Sequence, residues 1–272
     1  MSQSQKAEDW WRTEIIEMSP GSIRFRGYAI EELTGNVGFV EMIWLMLRGE
    51  LPTSGQAALL EAALVSGVDH GPQAPSIAIA RMAMTCGVGL NNAVASAVNV
   101  LGDVHGGAGE QAVEFYAAVR AKADDGLALD AAIKQTLDVF IAAGNKFVPG
   151  FGHRFHPIDP RAPRLLELVD AAVADGIVSG AFAKVARSIE TYLFETKGKR
   201  IPMNIDGATA VIYAELGFAP PLARGLFCLS RSVGILAHAW EQSRQGGRNK
   251  GPLPKEMIWT FDGPDARPFS RQ

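Results

Sequence analysis

Pro221-Leu222-Ala223-Arg224-Gly225-Leu226-Phe227-Cys228-Leu229-Ser230-Arg231-Ser232-Val233-Gly234-Ile235-Leu236-Ala237-His238-Ala239-Trp240 is the stretch on which the fold turns. Leu222, Leu226, Leu229, Val233, Leu236 and Trp240 recur at alternating steps of about four and three, one face of an α-helix. The opposite face carries Phe227, Arg231, Ile235 and His238, so it too is largely apolar. The pattern predicts a helix from Pro221 to about Gln245, buried because it is apolar all round. Arg231 is its only formally charged residue between Gly225 and Trp240. An unpaired buried guanidinium is costly. Arg231 should therefore meet a carboxylate, either a structural Asp or Glu or the carboxylate of a ligand.

Outward from this helix the same period recurs. Ala57–Leu64, Ala112–Ala121, Ala131–Ala142, Arg164–Ala174 and Ala181–Leu193 read as helices bounded by Gly, Pro or Asp. Within residues 12–30, Glu14–Met18 and Ser22–Arg26 flank Ser19-Pro20-Gly21 and read as a short β-hairpin. The fold class is all-α with this N-terminal hairpin. Met82–Leu101 has no charged residue, but Asn91 and Asn92 at its middle, after Gly87 and Gly89, favour two buried helices and a turn over a membrane span. The first six residues lack the apolar core of a signal peptide.

With 272 residues, 47% of them apolar and 20% charged, the chain has the composition of a soluble globular protein of one or two domains. A net charge of −3 argues against general nucleic-acid binding, though not against a small basic pocket. Cys86 and Cys228 belong to no CxxC pair, so neither a disulfide framework nor a zinc site is expected, and a reducing cytoplasm is the natural setting.

Three of the five histidines sit in glycine-rich turns, where packing seldom requires them and a ligand can approach the backbone. His105 lies in Asp103-Val104-His105-Gly106-Gly107, just before a helix. It is a loop residue at a helix start, or a neutral donor to a carbonyl becoming an enolate. His153 ends Pro149-Gly150-Phe151-Gly152-His153, whose glycines can expose N–H groups to a ligand. Asp159-Pro160-Arg161 then reads as N-cap, N1 and N2 of a helix, which could bring Arg161 to the side of His153. Arg161 and Arg231 could then clamp a dicarboxylate. His70, after Asp69, is a helix C-terminal residue or a ligand contact. Asp206 is an N-cap or a carboxylate base. No histidine pair has metal-site spacing beyond His153 and His156, three apart in a loop; no GxSxG elbow or P-loop is present.

Asp69-His70-Gly71-Pro72, His105-Gly106-Gly107-Ala108-Gly109-Glu110, Gly150-Phe151-Gly152-His153-Arg154 followed by Asp159-Pro160-Arg161, Asn204-Ile205-Asp206-Gly207, and Ser230-Arg231-Ser232-Val233-Gly234-Ile235-Leu236-Ala237-His238 together resemble the citrate synthase superfamily, in that family's order. Phe25–Leu33 and Glu50-Leu51-Pro52-Thr53 resemble two earlier landmarks, so the likeness covers roughly residues 22–245. It implies a large helical domain (1–105 and 211–272), a smaller helical domain (106–210) and closure of the two over substrate. The unit would be a homodimer or a higher oligomer, cytoplasmic, with no membrane or nucleic-acid partner. Asp206 would match the base acting on the methyl of acetyl-CoA, His105 the residue stabilising the enol, and His153 the residue polarising the oxaloacetate ketone. His70, Arg161 and Arg231 would match carboxylate ligands. Val148, Gly150 and Gly152 would match backbone contacts to coenzyme A, with Lys197 and Lys199 near its phosphates. Coenzyme A would enter as a thioester substrate, with no prosthetic group and no metal.

The chain is shorter than a full synthase and lacks the family's Arg-Pro-Arg pattern near its C-terminus. Arg248, with Lys250 behind it, is the candidate for the arginine that reaches a partner subunit's site. Brevity, Asp69–Pro72 and a glycine at 207 in place of an aromatic residue resemble citryl-CoA lyases and the lyase module of ATP-citrate lyase. The retained His105 resembles synthases. The expected reaction is cleavage or formation of the carbon–carbon bond joining acetyl-CoA and oxaloacetate. The alternatives are a citrate or alkylcitrate synthase, and a CoA-binding homologue without turnover.

Overall fold

The computed structural model describes residues 9–154, 156–254 and 256–269; the reading of the first six residues lies outside them. In chain order the elements are β1 (Ile16–Ser19), β2 (Ser22–Phe25), β3 (Tyr28–Ala29), α1 (Ile30–Leu33), α2 (Phe39–Arg48), α3 (Ser54–Gly67), α4 (Pro75–Thr85), α5 (Leu90–Val98), α6 (Ala108–Asp124), α7 (Leu129–Ala142), α8 (Arg161–Ala174), α9 (Ala181–Lys197), α10 (Ile205–Glu215) and α11 (Pro220–Gln245). The fold is all-α apart from the small antiparallel sheet at the N-terminus.

The expected hairpin is present, with Ser19 opposite Ser22 across Pro20-Gly21. Proline presets its own φ and Gly21, at φ +79°, takes the left-handed position such a turn needs. A third strand was not expected. It follows because Arg26 (φ 50°) and Gly27 (φ 89°) both have positive φ, the geometry of a two-residue hairpin turn, which pairs Phe25 with Tyr28. The Arg26 guanidinium donates to the Met46 carbonyl at 2.9 Å and so ties the sheet to α2.

The chain divides into two compact units. The first comprises the described residues up to Asp69 with Leu101–Arg231; the second comprises His70–Val100 with the described residues from Ser232 onward. Residues 106–210 lie wholly within the first.

In the first unit α10 is the central element, packed against α3, α6, α8 and α9. Every residue from Gly207 to Ala214 is buried. Around it Leu60, Tyr116, Val119, Ile133, Ile189 and Leu193 are shut off from solvent, each such aliphatic side chain stabilising the fold by about 1.5–3 kcal/mol. Trp44 and Phe218 close one end edge to face, centroids 5.2 Å apart. Thr53 and Gln56 form a reciprocal capping box that starts α3.

In the second unit α4 and α5 pack together, and Ile77, Ala80, Ala93 and Ala97 form a core with Ile235 and Ala239 from the second half of α11. The uncharged Met82–Leu101 stretch is the end of α4, a turn through Gly87 (φ +84°) and α5. Asn91 and Asn92 are exposed, so α5 is buried on one face only. No helix among the described residues is long and apolar enough to cross a membrane. Arg81 is held in a fork by Glu241 (2.6 Å), Gln245 (2.6 Å) and His238 (3.2 Å).

Helix α11 corrects one expectation. It spans the predicted residues but is not buried all round. Leu226, Ile235 and Ala239 are buried, whereas Leu229, Val233, Leu236 and Trp240 are 47–59% exposed. Apolar character on every side of a helix can mean burial within one chain or a face kept for a second one. The sequence pattern does not separate the two.

Candidate functional site

The first unit builds a turn from two distant segments. Phe151 and Met203 form an isolated antiparallel bridge, Gly152 N–H donates to Pro202 at 2.8 Å and Asn204 N–H donates to Gly150 at 2.9 Å. The Asn204 side chain completes the junction. Its amide donates to the Gly152 carbonyl at 2.6 Å, and its oxygen accepts from the N–H groups of Asp206 (3.0 Å) and Gly207 (3.2 Å). Asn204 is therefore the N-cap of α10, and Asp206, read as either cap or base, stands in the first turn with its side chain released from capping. Gly207 follows from the same junction. A Cβ there would strike the Gly150 carbonyl and Met203, and one on Gly150 would lie 2.6 Å from the Gly207 Cα. No side chain fits at either position while the two turns lie together.

Asp206 sits among charges. Burial pushes its pKa up; Arg161 and Arg231 pull it down, and Asp159 pushes it up. The residue still keeps partial solvent access, although its carboxyl lies deep among protein atoms. Arg161 is the first residue of α8, one position earlier in the helix than predicted, with Pro160 as cap. Its Nε and Nη2 both donate to Asp159, each at 2.9 Å, and Nη1 reaches the Ser66 carbonyl at 3.5 Å. Arg231, 6% exposed, donates from Nε to Gly67 at 3.1 Å and lies over the Phe227 ring, 4.8 Å from its centroid. Burial lowers its pKa and the carboxylates Asp69 and Asp206 raise it, with Arg161 opposing. Asp206 is thus within electrostatic reach of both Arg161 and Arg231, while Arg161 itself is paired with Asp159.

His153 accepts the His156 N–H on Nδ1 at 3.1 Å. A backbone N–H only donates, so in neutral His153 the ring proton is on Nε2. Burial lowers the His153 pKa, Asp159 raises it, and His156 and Arg161 lower it. The neutral form is favoured.

His105 lies in the turn before α6, where its carbonyl accepts from Gly102 N–H at 3.0 Å. Arg224 of α11 fixes this turn by pairing with Asp103 at 2.6 Å and with Glu110. A Cβ on Gly106 would lie 3.0 Å from the Phe227 ring, and Arg231 lies over that same ring. His105 is therefore one residue from the aromatic support of Arg231.

Val148 and Lys197 line one cavity of about 180 Å³ with Phe140, Lys146, Phe147 and Tyr192. Lys199 is exposed beyond the C-cap Gly198 of α9. His70 and Arg248 belong to the second unit, and both are exposed. The turn bearing Arg248 is pinned to the end of α4, since Thr85 accepts from Asn249 N–H (2.8 Å) and Lys250 N–H (2.9 Å).

A family model described as "Citrate synthase, C-terminal domain" matches residues 9–64 and 54–253. The chain belongs to the citrate synthase family. Among members of solved structure it is similar to the citryl-CoA lyase of Hydrogenobacter thermophilus, with a TM-score of 0.82 and 32% identity over 95% of this chain and 97% of that one. The ATP citrate lyase of Methanothrix soehngenii, solved with citrate and coenzyme A, shares the fold (TM-score 0.76, 20% identity, 97% of this chain and 45% of that one). By sequence the chain is similar to the citrate synthase of Haloferax volcanii, 32% identical over 199 residues, which is 72% of this chain and 49% of that protein. It spans about half the length of the curated relatives it matches first.

Within this citrate synthase-family fold, the sequence did not point to Asn204, to Asp159 beyond a cap, or to Arg224. Asn204 and Asp206 are both capping residue types near the start of α10, and spacing alone does not choose between them. Arg224 gave no such signal, because its partners Asp103 and Glu110 are more than a hundred positions away.

Proposed function

We propose that the chain is a citryl-CoA lyase-type enzyme, breaking or forming the carbon–carbon bond between acetyl-CoA and oxaloacetate. The observation that carries this reading is Asp206, whose pKa is raised by burial and opposed by the charges of Arg161 and Arg231. Such a carboxylate is a base strong enough for a carbon acid, beside cations suited to a dicarboxylate. In the forming direction Asp206 takes a proton from the thioester methyl and His105 hydrogen-bonds the oxygen on which enolate charge collects. The enol carbon attacks the oxaloacetate ketone while His153, through Nε2–H, stabilises the oxygen that becomes an alkoxide. Cleavage runs the same bonds in reverse.

Arg161, Arg231 and His70 take the carboxylates, and Arg248 serves a partner subunit's site. Val148, Gly150, Gly152, Lys197 and Lys199 take coenzyme A. Residues 106–210 act as a small domain closing on 1–105 and 211–272, which excludes water from the thioester. The exposed stripe on α11 supports a homodimer, and two cysteines outside any CxxC pair suit the cytoplasm. Lyase is favoured over synthase by the match along 97% of a citryl-CoA lyase chain. The synthase reading rests on the Haloferax volcanii relative.

The test is to supply citryl-CoA and, separately, acetyl-CoA with oxaloacetate. A lyase gives acetyl-CoA from the first and no thiol from the second. Thiol release from the second supports a synthase. Silence in both, with coenzyme A still bound, leaves a non-catalytic CoA-binding protein.

A further inference from the structure

Asp159 is 1% exposed, and its carboxylate accepts four hydrogen bonds. Oδ1 takes the Arg161 backbone N–H at 3.1 Å and Nε at 2.9 Å. Oδ2 takes Arg161 Nη2 at 2.9 Å and the backbone N–H of Ile205 at 3.0 Å. The first bond is a helix-start contact and accounts for an Asp at this position. The others exceed that job. Two of them lock the guanidinium plane bidentately, the strong and directional form of the pair. The fourth crosses to α10 at the residue before Asp206.

We propose that Asp159 is a positioning residue that sets Arg161 and the Asp206 turn against each other, so that a substrate carboxylate on the guanidinium is held at a fixed place relative to the base. Its chemistry suits this. A carboxylate is an acceptor on both oxygens, and all four facing groups are donors. The Arg161 and Ile205 N–H groups hold its pKa below the usual carboxylate range against the pull of burial, so it stays ionised. It also places a fixed negative charge near Asp206 and His153, raising both. The role rests on the activity proposed above.

Two substitutions separate positioning from capping. Asp159→Asn keeps a good helix-starting side chain but turns an NH₂ toward N–H donors, losing half of the bonds. Ile205→Pro removes the bond to α10 and shortens a side chain packed against the core, a packing loss that Ile205→Ala reproduces with the bond kept. Proline is tolerated at the first helical position, and Asn204 before it is already extended, at φ −105° and ψ −173°. Citryl-CoA cleavage and equilibrium oxaloacetate binding are measured for parent and variants, with thermal melts.

Asp159→Asn is expected to weaken oxaloacetate binding roughly tenfold and to lower kcat roughly 10- to 100-fold, as for a reacting group misplaced by about an ångström. Ile205→Pro is expected to lower kcat roughly tenfold with oxaloacetate affinity within about twofold of the parent, because Arg161 stays paired. A merely structural role would not split the two parameters. Folded variants with both parameters unchanged overturn the proposal. So does an unfolded Asp159→Asn beside a fully active Ile205→Pro. If the parent is silent on citryl-CoA but binds oxaloacetate, the activity reading fails while the affinity of Asp159→Asn still decides for or against positioning. A parent that neither turns over nor binds oxaloacetate removes both.

Discussion

Asp206 has a neutral form favoured by burial and a charged form favoured by two guanidinium groups and by its place in the first turn of α10. Burial wins, so its pKa in the folded state lies above the unfolded value. A group shifted in this direction contributes stability that is full below its unfolded pKa and is lost as pH rises through the folded one. Above that folded value the ionised carboxylate therefore costs stability. Asp206→Asn should lower turnover by roughly 10² or more, for loss of general-base catalysis. The same variant should melt higher than the parent at a pH above the folded pKa of Asp206, by roughly 2–4 °C for each kcal/mol released. Activity within a few-fold of the parent would leave Asp206 without a catalytic part; a lower Tm would mean the arginines need it as a partner. The residue itself stood out in the sequence, beside a glycine and before a helix. What did not stand out was that Asn204 takes the cap, because both residue types cap helices and only the backbone geometry chooses between them.

At the scale of elements, the helices legible in the sequence were those with apolar residues at helical spacing, and α3, α6, α7, α8, α9 and α11 all cover the predicted cores. The residues that join helices were not legible. Glu215, at the end of α10, shows why. Its carboxylate accepts from Phe182 N–H (2.6 Å), Ala183 N–H (3.2 Å), Gly180 N–H (3.0 Å) and the Ser179 hydroxyl (2.9 Å). The three N–H groups are donors that the start of α9 leaves without helical partners, and a negative charge there is favoured by the helix dipole. Glu215→Ala should cost about 2 kcal/mol, a fall in Tm of roughly 4–8 °C. Citryl-CoA cleavage at 25 °C should stay within about twofold of the parent, since Glu215 touches no proposed site residue. A melt unchanged by the substitution would mean that water replaces the carboxylate at α9.

At the scale of the whole molecule, the exposed stripe of Leu229, Val233, Leu236 and Trp240 follows one face of α11. Contiguous apolar surface of this kind marks an association site, and a second copy of the chain is the partner proposed. Sedimentation of the parent should then show dimers at micromolar concentration, and Val233→Glu with Leu236→Lys should give folded monomers. A monomeric parent would assign the stripe to some other partner.

The sequence by itself determined the helical class, because periodicity records which side of each helix avoids water, and it determined the chemical inventory of His105, His153, Asp206, Arg161 and Arg231. Only the tertiary structure decided how those groups act on one another. It set Asp159 across the start of two helices, left no room for a side chain at 207, put the proton of neutral His153 on Nε2, and exposed half of a helix that read as wholly buried. Each of these depends on contacts between residues far apart in the chain, and spacing along one strand of sequence carries no record of distance in space.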